Sequence, residues 1–269
     1  LAVAPLVAIA LVHDVVTHDA LALCLGAADV RTQASRLLAI LSYKNLSLTR
    51  SLGTKRINAL DDATMIHTRN LRRVFRSKAG EVEAVAGVDL DVQRGEIFGF
   101  LGPNGAGKTT TMRMLVTLLP PTSGDAVVAG HDLLRRPADV RREIGYVAQT
   151  GGTDPTVTGR DELVHQGRVF GLSREAARAR ADELLQRFSL VDPADRPTAT
   201  WSGGQRRRLD IAIGLVHRPA LVFLDEPTTG LDPQSRANMW DEVRRLRDEG
   251  TTVFLTTHYL DEADALCDR

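Results

Sequence analysis

"GPNGAGKTT", residues 102–110, decides how the rest of this chain is read. Gly102, Gly107, Lys108 and Thr109 fit the pattern G-x-x-x-x-G-K-[ST], with Gly105 between them. Glycines admit backbone conformations closed to other residues, so successive N–H groups can turn inward toward phosphate oxygens. The preceding "EIFGFLG" reads as a buried strand. The following "KTTTMRMLVTLL" has helical length and apolar spacing, and Pro120-Pro121 is expected to stop it. Strand, glycine loop and helix is the setting a phosphate loop requires. A helix starting near Lys108 adds its positive N-terminal end. Lys108 can reach β- and γ-phosphates, and the Thr109 hydroxyl can ligate Mg²⁺. A tight structural turn is the alternative, and the full match in this setting argues against it. The loop is read as the holder of a nucleoside triphosphate.

Working outward, the chain has 269 residues, 43% hydrophobic and 25% charged, the balance of a globular protein of one large domain or two small ones. Its formal net charge of zero argues against a general nucleic-acid or anionic-membrane binder, and no nucleic-acid partner is expected. Lys44, Lys55, Lys78 and Lys108 are the only lysines. Cys24 and Cys267 lie near opposite ends without metal-ligand spacing and read as two reduced thiols. The most apolar run, "LAVAPLVAIALV" at 1–12, is too short to span a bilayer. Met65 is the first methionine, and organised patterning begins there. Residues 1–64 are therefore read as an upstream extension, with a short accessory helical segment as the alternative.

From Met65, "IHTRNLRRVF" and "VEAVAGVDLDV" alternate as strands. "SREAARARADELLQRF" opens on Ser173 as N-cap and sets Ala177, Ala181, Leu184, Leu185 and Phe188 on one helical face. "PALVFLDEP" is a short apolar strand ending in two acids. Asp232 and Pro233 then open a helix with Met239, Trp240, Val243 and Leu246 as its core face and Gly250 at its end. "TTVFLTTH" is a further buried strand. Strands alternating with helices after Gly95 predict an α/β fold with a largely parallel sheet.

The strand "LVFLD" delivers Asp225 at its C-terminal end, where α/β ligands bind, as a Mg²⁺ ligand direct or through water. Glu226 follows, placed to act as general base on a water. In isolation this pair would be an exposed acidic turn. "WSGGQRRRLDIA", 201–212, opens a second helix at Ser202, Gly203, Gly204 and Gln205 with bare amides and a hydroxyl. It is a second anion-binding helix end, read as serving a different copy of the chain. Arg206, Arg207 and Arg208 could meet a partner, but a solvated helix face is expected for at least two of them. Apart from His258, the histidines show no metal-site pattern.

From about Met65 the chain resembles the nucleotide-binding subunit of an ATP-binding cassette (ABC) transporter. "GPNGAGKTT" resembles Walker A, "LVFLDE" Walker B and "WSGGQ" the family signature. Gln149 in "GYVAQT" resembles the Q-loop glutamine, Gly230-Leu231-Asp232 the D-loop, and His258 in "TTHYLDEAD" the switch histidine. Phe75 sits where the family places an aromatic against adenine. Alone, Gln149 reads as a surface glutamine, Phe75 as a core aromatic and His258 as a structural histidine; their order among the stronger motifs raises each. The details "PTTGLDPQSR", "TTHYLDEAD" and "SGGQRRRLDIA" are closest to the daunorubicin-resistance type of drug-exporter ATPase.

The resemblance implies a P-loop NTPase (RecA-like) core with a mainly parallel sheet, an N-terminal antiparallel β subdomain and an inserted helical subdomain at about 150–201. Residues 65–269 would form this ATPase domain, cut short at its C-terminal end, because family members continue past the switch histidine. Gly102, Pro103, Asn104, Gly105, Ala106, Gly107, Lys108, Thr109 and Thr110 would wrap the phosphates. Thr109, Gln149 and Asp225 would hold Mg²⁺, while Glu226 and His258 would act on the γ-phosphate and its attacking water. Ser202 to Gln205 would close over the nucleotide of a second copy in a head-to-tail dimer, and Asp232 would couple the two sites. A separate integral-membrane permease subunit would be the transport partner, with the cassette peripheral on the cytoplasmic face of the membrane. Lipid or polysaccharide export, or soluble action on ribosomes or DNA, are the alternatives. Trp201 departs from the family's usual leucine and is expected to alter packing beside the signature rather than its amides.

Overall fold

In a computed structural model, residues 63–78 and 80–269 are described; the expected extension at 1–64 lies outside them but for its last two residues. The alternating segments form the long antiparallel pair β1 (Thr64–Ser77) and β2 (Gly80–Gln93). β4 (Ser123–Val128) joins the other edge of β1, and the two-residue β5 (His131–Asp132) completes a sheet ordered β2-β1-β4-β5. The antiparallel layer is thus not purely N-terminal. "SGDAVV" returns to it after the first helix, a strand whose Gly-Asp start masked its period-2 pattern.

The second sheet is parallel throughout. It contains β3 (Ile97–Leu101), β6 (Ile144–Val147), β7 (Leu221–Asp225) and β8 (Thr252–Thr257), in the order β3-β8-β7-β6. Every residue of β7 and β8 is buried. Their near-continuous apolar runs have a physical reason: a parallel sheet is covered on both faces. Val222, Leu224, Val253 and Leu255 pack into one core, and Leu221, Phe223 and Phe254 into another. β3 is an edge strand, and only Ile97 is fully buried, against the expectation for "EIFGFLG". Gly99 N donates to Arg269 O at 2.9 Å, and Asp268 N donates to Ile97 O at 2.9 Å, so the last two residues run along that edge.

The described helices are α1 (Lys108–Leu115), α2 (Pro137–Glu143), α3 (Gly159–Val169), α4 (Arg174–Arg187), α5 (Gly203–Gly214), α6 (Pro233–Asp248) and α7 (Leu260–Leu266). Helix α1 ends at Leu115, earlier than Pro120 would impose. Thr117 adopts φ 65°, and the amides of Leu118 and Leu119 both turn back onto Arg113 O, which closes the helix before the prolines. Ser173 caps α4 by accepting from Ala176 N, and all five of its expected core residues are buried. In α6, Met239, Val243 and Leu246 are buried, while Trp240 is half-buried and donates through Nε1 to Glu262 Oε1 at 3.2 Å. None of the described helices is long and apolar enough to cross a membrane.

Trp201 is buried and its indole lies on the first residue of α3: a Cβ on Gly159 would stand 2.3 Å from Trp201 Cη2. Its Nε1 donates to Arg196 O at 3.2 Å. Gly159→Ala is therefore expected to destabilise by about 1–3 kcal/mol through overpacking. Adding Trp201→Leu relieves that clash, so the double variant should lose less than the sum of the single losses in urea unfolding. Strict additivity would show that the two residues do not share this space.

Candidate functional site

The C-terminal ends of β3 and β7 open toward the N-terminus of α1, and the chemistry-bearing side chains gather there. Gly107 caps α1 in the left-handed region with φ 88°, and Gly105 has φ 82°. Gly107 has a second constraint, because a Cβ there would meet Ala84 O of β2 at 2.5 Å. No side chain caps α1 and no acid lies in its first turn, so its leading amides and positive end are left for an external anion. Lys108 is only 5% exposed; its Nζ donates to Gly102 O at 2.7 Å and to Pro103 O at 3.1 Å, folding the ammonium across its own loop.

Asp225, 1% exposed, is held by hydroxyls from two neighbouring elements: Thr256 Oγ1 of β8 donates at 2.6 Å and Thr109 Oγ1 at 3.3 Å, both to Oδ1. A buried carboxylate needs such donors. A hydroxyl with one carboxylate is also the hard-oxygen donor set that Mg²⁺ takes when phosphate oxygens and water complete its shell. Among the described residues, no three His, Cys, Asp or Glu side chains gather as an all-protein metal cage.

Glu226 is the hub. Gln149 Nε2 donates to its Oε2 at 2.9 Å and Thr229 Oγ1 at 3.1 Å, while Lys108 Nζ lies 3.7 Å from Oε1. His258 Nδ1 is 3.3 Å from Oε2 but out of line for a hydrogen bond. The Glu226 backbone has φ 46°, a left-handed conformation unusual for a side-chain-bearing residue and worth about 1–3 kcal/mol of strain. That turn lifts the carboxylate out of the β ladder toward Lys108. Gln149, spending its amide nitrogen on Glu226, turns its amide oxygen away from that carboxylate, the end a metal would need.

The structure therefore brings Lys108, Thr109, Gln149, Asp225, Glu226 and His258 into one cluster. Other candidates stand apart. Phe75 is 40% exposed on the β1–β2 hairpin with the Arg73 guanidinium 4.7 Å over its ring, and is not the core aromatic it could have been. Ser202 and Gln205 form a reciprocal capping box: Gln205 N donates to Ser202 Oγ at 3.2 Å and Ser202 N to Gln205 Oε1 at 2.9 Å. One of the amides expected to be bare, Gln205 N, is thus already engaged, while the Ser202 hydroxyl keeps its own proton to donate. Asp232 caps α6, accepting from Ser235 N at 2.9 Å and Ser235 Oγ at 2.6 Å, and these bonds hold its carboxyl below the usual range. A Cβ on Gly204 would meet Ser235 Oγ at 2.8 Å, so the helix ends carrying Ser202 and Asp232 lie side by side. Among the described residues, no hydrogen bond or ion pair joins Ser202 to Gln205 with Lys108, Asp225, Glu226 or His258.

Sequence reasoning missed two residues. At least two of Arg206, Arg207 and Arg208 are expected on a solvated face, but Arg207 is buried, Arg208 is half-buried and only Arg206 is exposed. The signal was present: Arg207, Ile211 and Gly214 share an i, i+4, i+7 stripe, all buried. Glu262 of α7, 1% exposed, accepts from Thr228 Oγ1 at 2.7 Å and braces the segment that carries Thr229.

Comparison with known proteins agrees with this geometry. The family model described as ABC transporter matches residues 85–229, more than half of the chain. The chain is 54% identical over 204 residues to the daunorubicin/doxorubicin resistance ATP-binding protein DrrA of Streptomyces peucetius, covering 76% of this chain and 61% of that protein. It is 44% identical over 204 residues to the Nod factor export ATP-binding protein I of Burkholderia lata, covering 76% of this chain and 66% of the relative. Against its daunorubicin and doxorubicin resistance relatives the chain spans about three fifths of their length, 57–61%. A dimeric ATP-binding cassette in a post-hydrolysis state, bound to ADP and Pi, superposes with TM-score 0.69 at 26% identity, covering 75% of this chain and 91% of that one. With the fold, the phosphate loop and the Glu226 cluster all in agreement, this chain belongs to the ABC transporter family.

Proposed function

We propose that the chain is the ATP-binding and hydrolysing subunit of an exporter, driving efflux of drugs or other hydrophobic compounds through a separate membrane-spanning subunit. The observation that carries this reading is the buried Glu226 carboxylate, held between Lys108, Gln149 and Thr229 at the mouth of the phosphate loop. Relatives named for doxorubicin resistance and for Nod factor export support outward transport. The peripheral position on the cytoplasmic face and the permease partner follow from this reading.

In the proposed reaction, Glu226 orients a water and takes its proton as the water oxygen attacks the γ-phosphorus. The bond from the γ-phosphorus to the bridging oxygen breaks, releasing ADP and phosphate. Lys108 and the N-terminal end of α1 offset charge on the phosphates. Thr109 and Asp225 would hold Mg²⁺, with Gln149 joining once its amide oxygen turns inward; bound Mg²⁺ neutralises β- and γ-phosphate charge. His258 stands beside Glu226 to contact the γ-phosphate. Ser202 to Gln205 would face a second copy, which is consistent with their making no hydrogen bond or ion pair to Lys108, Asp225, Glu226 or His258 of their own chain. Closure of the pair on ATP and opening after hydrolysis would be a population shift driven by differential contacts.

The test is co-purification. Full-chain Glu226→Gln, tagged and held with ATP, should recover a polytopic membrane protein in stoichiometric amount from gently solubilised membranes. Recovery with ribosomes or DNA alone would contradict the transport reading.

A further inference from the structure

Four donor contacts from one guanidinium link three parts of the site that the sequence separates. Arg207 lies on α5 and is 8% exposed. Its Nε donates to Pro227 O at 2.9 Å, its Nη2 to Asp225 O at 3.0 Å and more weakly to Glu226 O at 3.5 Å, and its Nη1 to Ala148 O at 2.6 Å. The acceptors are the backbone at the end of β7, where the chain leaves the ladder through the left-handed Glu226, and the residue directly before Gln149. The nearest carboxylate, Asp210 one turn along α5, stands 4.0 Å away. Burial dominates both groups, lowering the guanidinium's pKa and pushing the Asp210 carboxyl up to about 6. A buried arginine aimed at backbone oxygens rather than a close acid is costly unless its planar fork is used, and here all three nitrogens donate to carbonyls.

The same guanidinium therefore fixes the main chain on both sides of the Gln149–Glu226 hydrogen bond, and it does so from the helix whose first turn is Gly203 to Gln205. We propose that Arg207 is a positioning residue: it sets the spacing of Gln149 and Glu226 and ties that spacing to the orientation of the Ser202–Gln205 helix end offered to a second copy. The inference rests on the hydrolytic reading above and adds to it a physical link between a chain's own γ-phosphate site and the surface it presents to its partner. Asp210 supports the link from the other side. A Cβ on Gly151 would fall 2.6 Å from its Oδ2, so the loop after Gln149 packs directly on α5.

The test compares full-chain Arg207→Gln and Arg207→Lys with the unaltered chain. Lysine keeps the charge and reaches one or two of the carbonyls; glutamine keeps a donor but loses the fork. Loss of this positioning is expected to lower kcat about 100-fold in Arg207→Gln, as small misplacements of reacting groups do. The Kd for a fluorescent ATP analogue should stay within about threefold, since Lys108 and the loop amides are untouched. Arg207→Lys should recover part of kcat. ATP-dependent self-association in the Glu226→Gln background should weaken with Arg207→Gln. Unchanged kcat and association in both variants overturn the inference. So does an equal loss of kcat and ATP affinity, or failure of both variants to fold, either of which makes Arg207 a general structural anchor. An unaltered chain that binds ATP but never hydrolyses it overturns the hydrolytic reading itself, and the inference falls with it.

Discussion

Glu226→Gln is expected to keep nucleotide binding while turnover falls by about 10²–10⁴-fold, the contribution of a positioned general base. The substitution is nearly isosteric. Gln149 and Thr229 can still donate to the amide oxygen, so the shape of the hub persists. The ability to take a proton from water is lost, along with the charge facing Lys108 at 3.7 Å. Steady-state phosphate release and equilibrium binding of an ATP analogue separate the two effects. Hydrolysis at the unaltered rate would remove Glu226 from its assigned role.

Lys108→Ala is expected to act on the other quantity. The ammonium is buried, already bonded to two loop carbonyls, and is the cation nearest the leading amides of α1. Charge-assisted hydrogen bonds are worth about 1.5–3 kcal/mol each, which corresponds to a loss of ATP affinity of about 10- to 100-fold. The loss should exceed that caused by Glu226→Gln, and circular dichroism should show the fold retained. Unchanged affinity for a fluorescent ATP analogue would contradict the role given to the loop lysine.

The parallel core was legible in the sequence because its constraints are local. β7 and β8 are continuous apolar runs ending in polar residues, and Ser173 and Asp232 are helix caps recognisable one residue at a time. The phosphate loop was legible for the same reason. What escaped was set by distant partners. The early stop of α1 depends on a left-handed Thr117 rather than on the prolines. Arg207 looks like one charge in a basic triplet until β7 and the Gln149 loop supply its carbonyls. The capping box at Ser202 is legible in "SGGQ" as S-x-x-Q, a pairing of two side chains that occupies an amide the glycine-rich start would otherwise leave bare.

In the proposed function ATP is held between two copies, by the phosphate loop of one and the Ser202–Gln205 helix end of the other. Multi-angle light scattering of full-chain Glu226→Gln, in ATP and then in ADP, tests it most directly. Twice the monomer mass is expected in ATP and monomer mass in ADP, with Ser202→Arg abolishing the ATP-dependent doubling. The same mass in both nucleotides, or a doubling indifferent to Ser202→Arg, would contradict it.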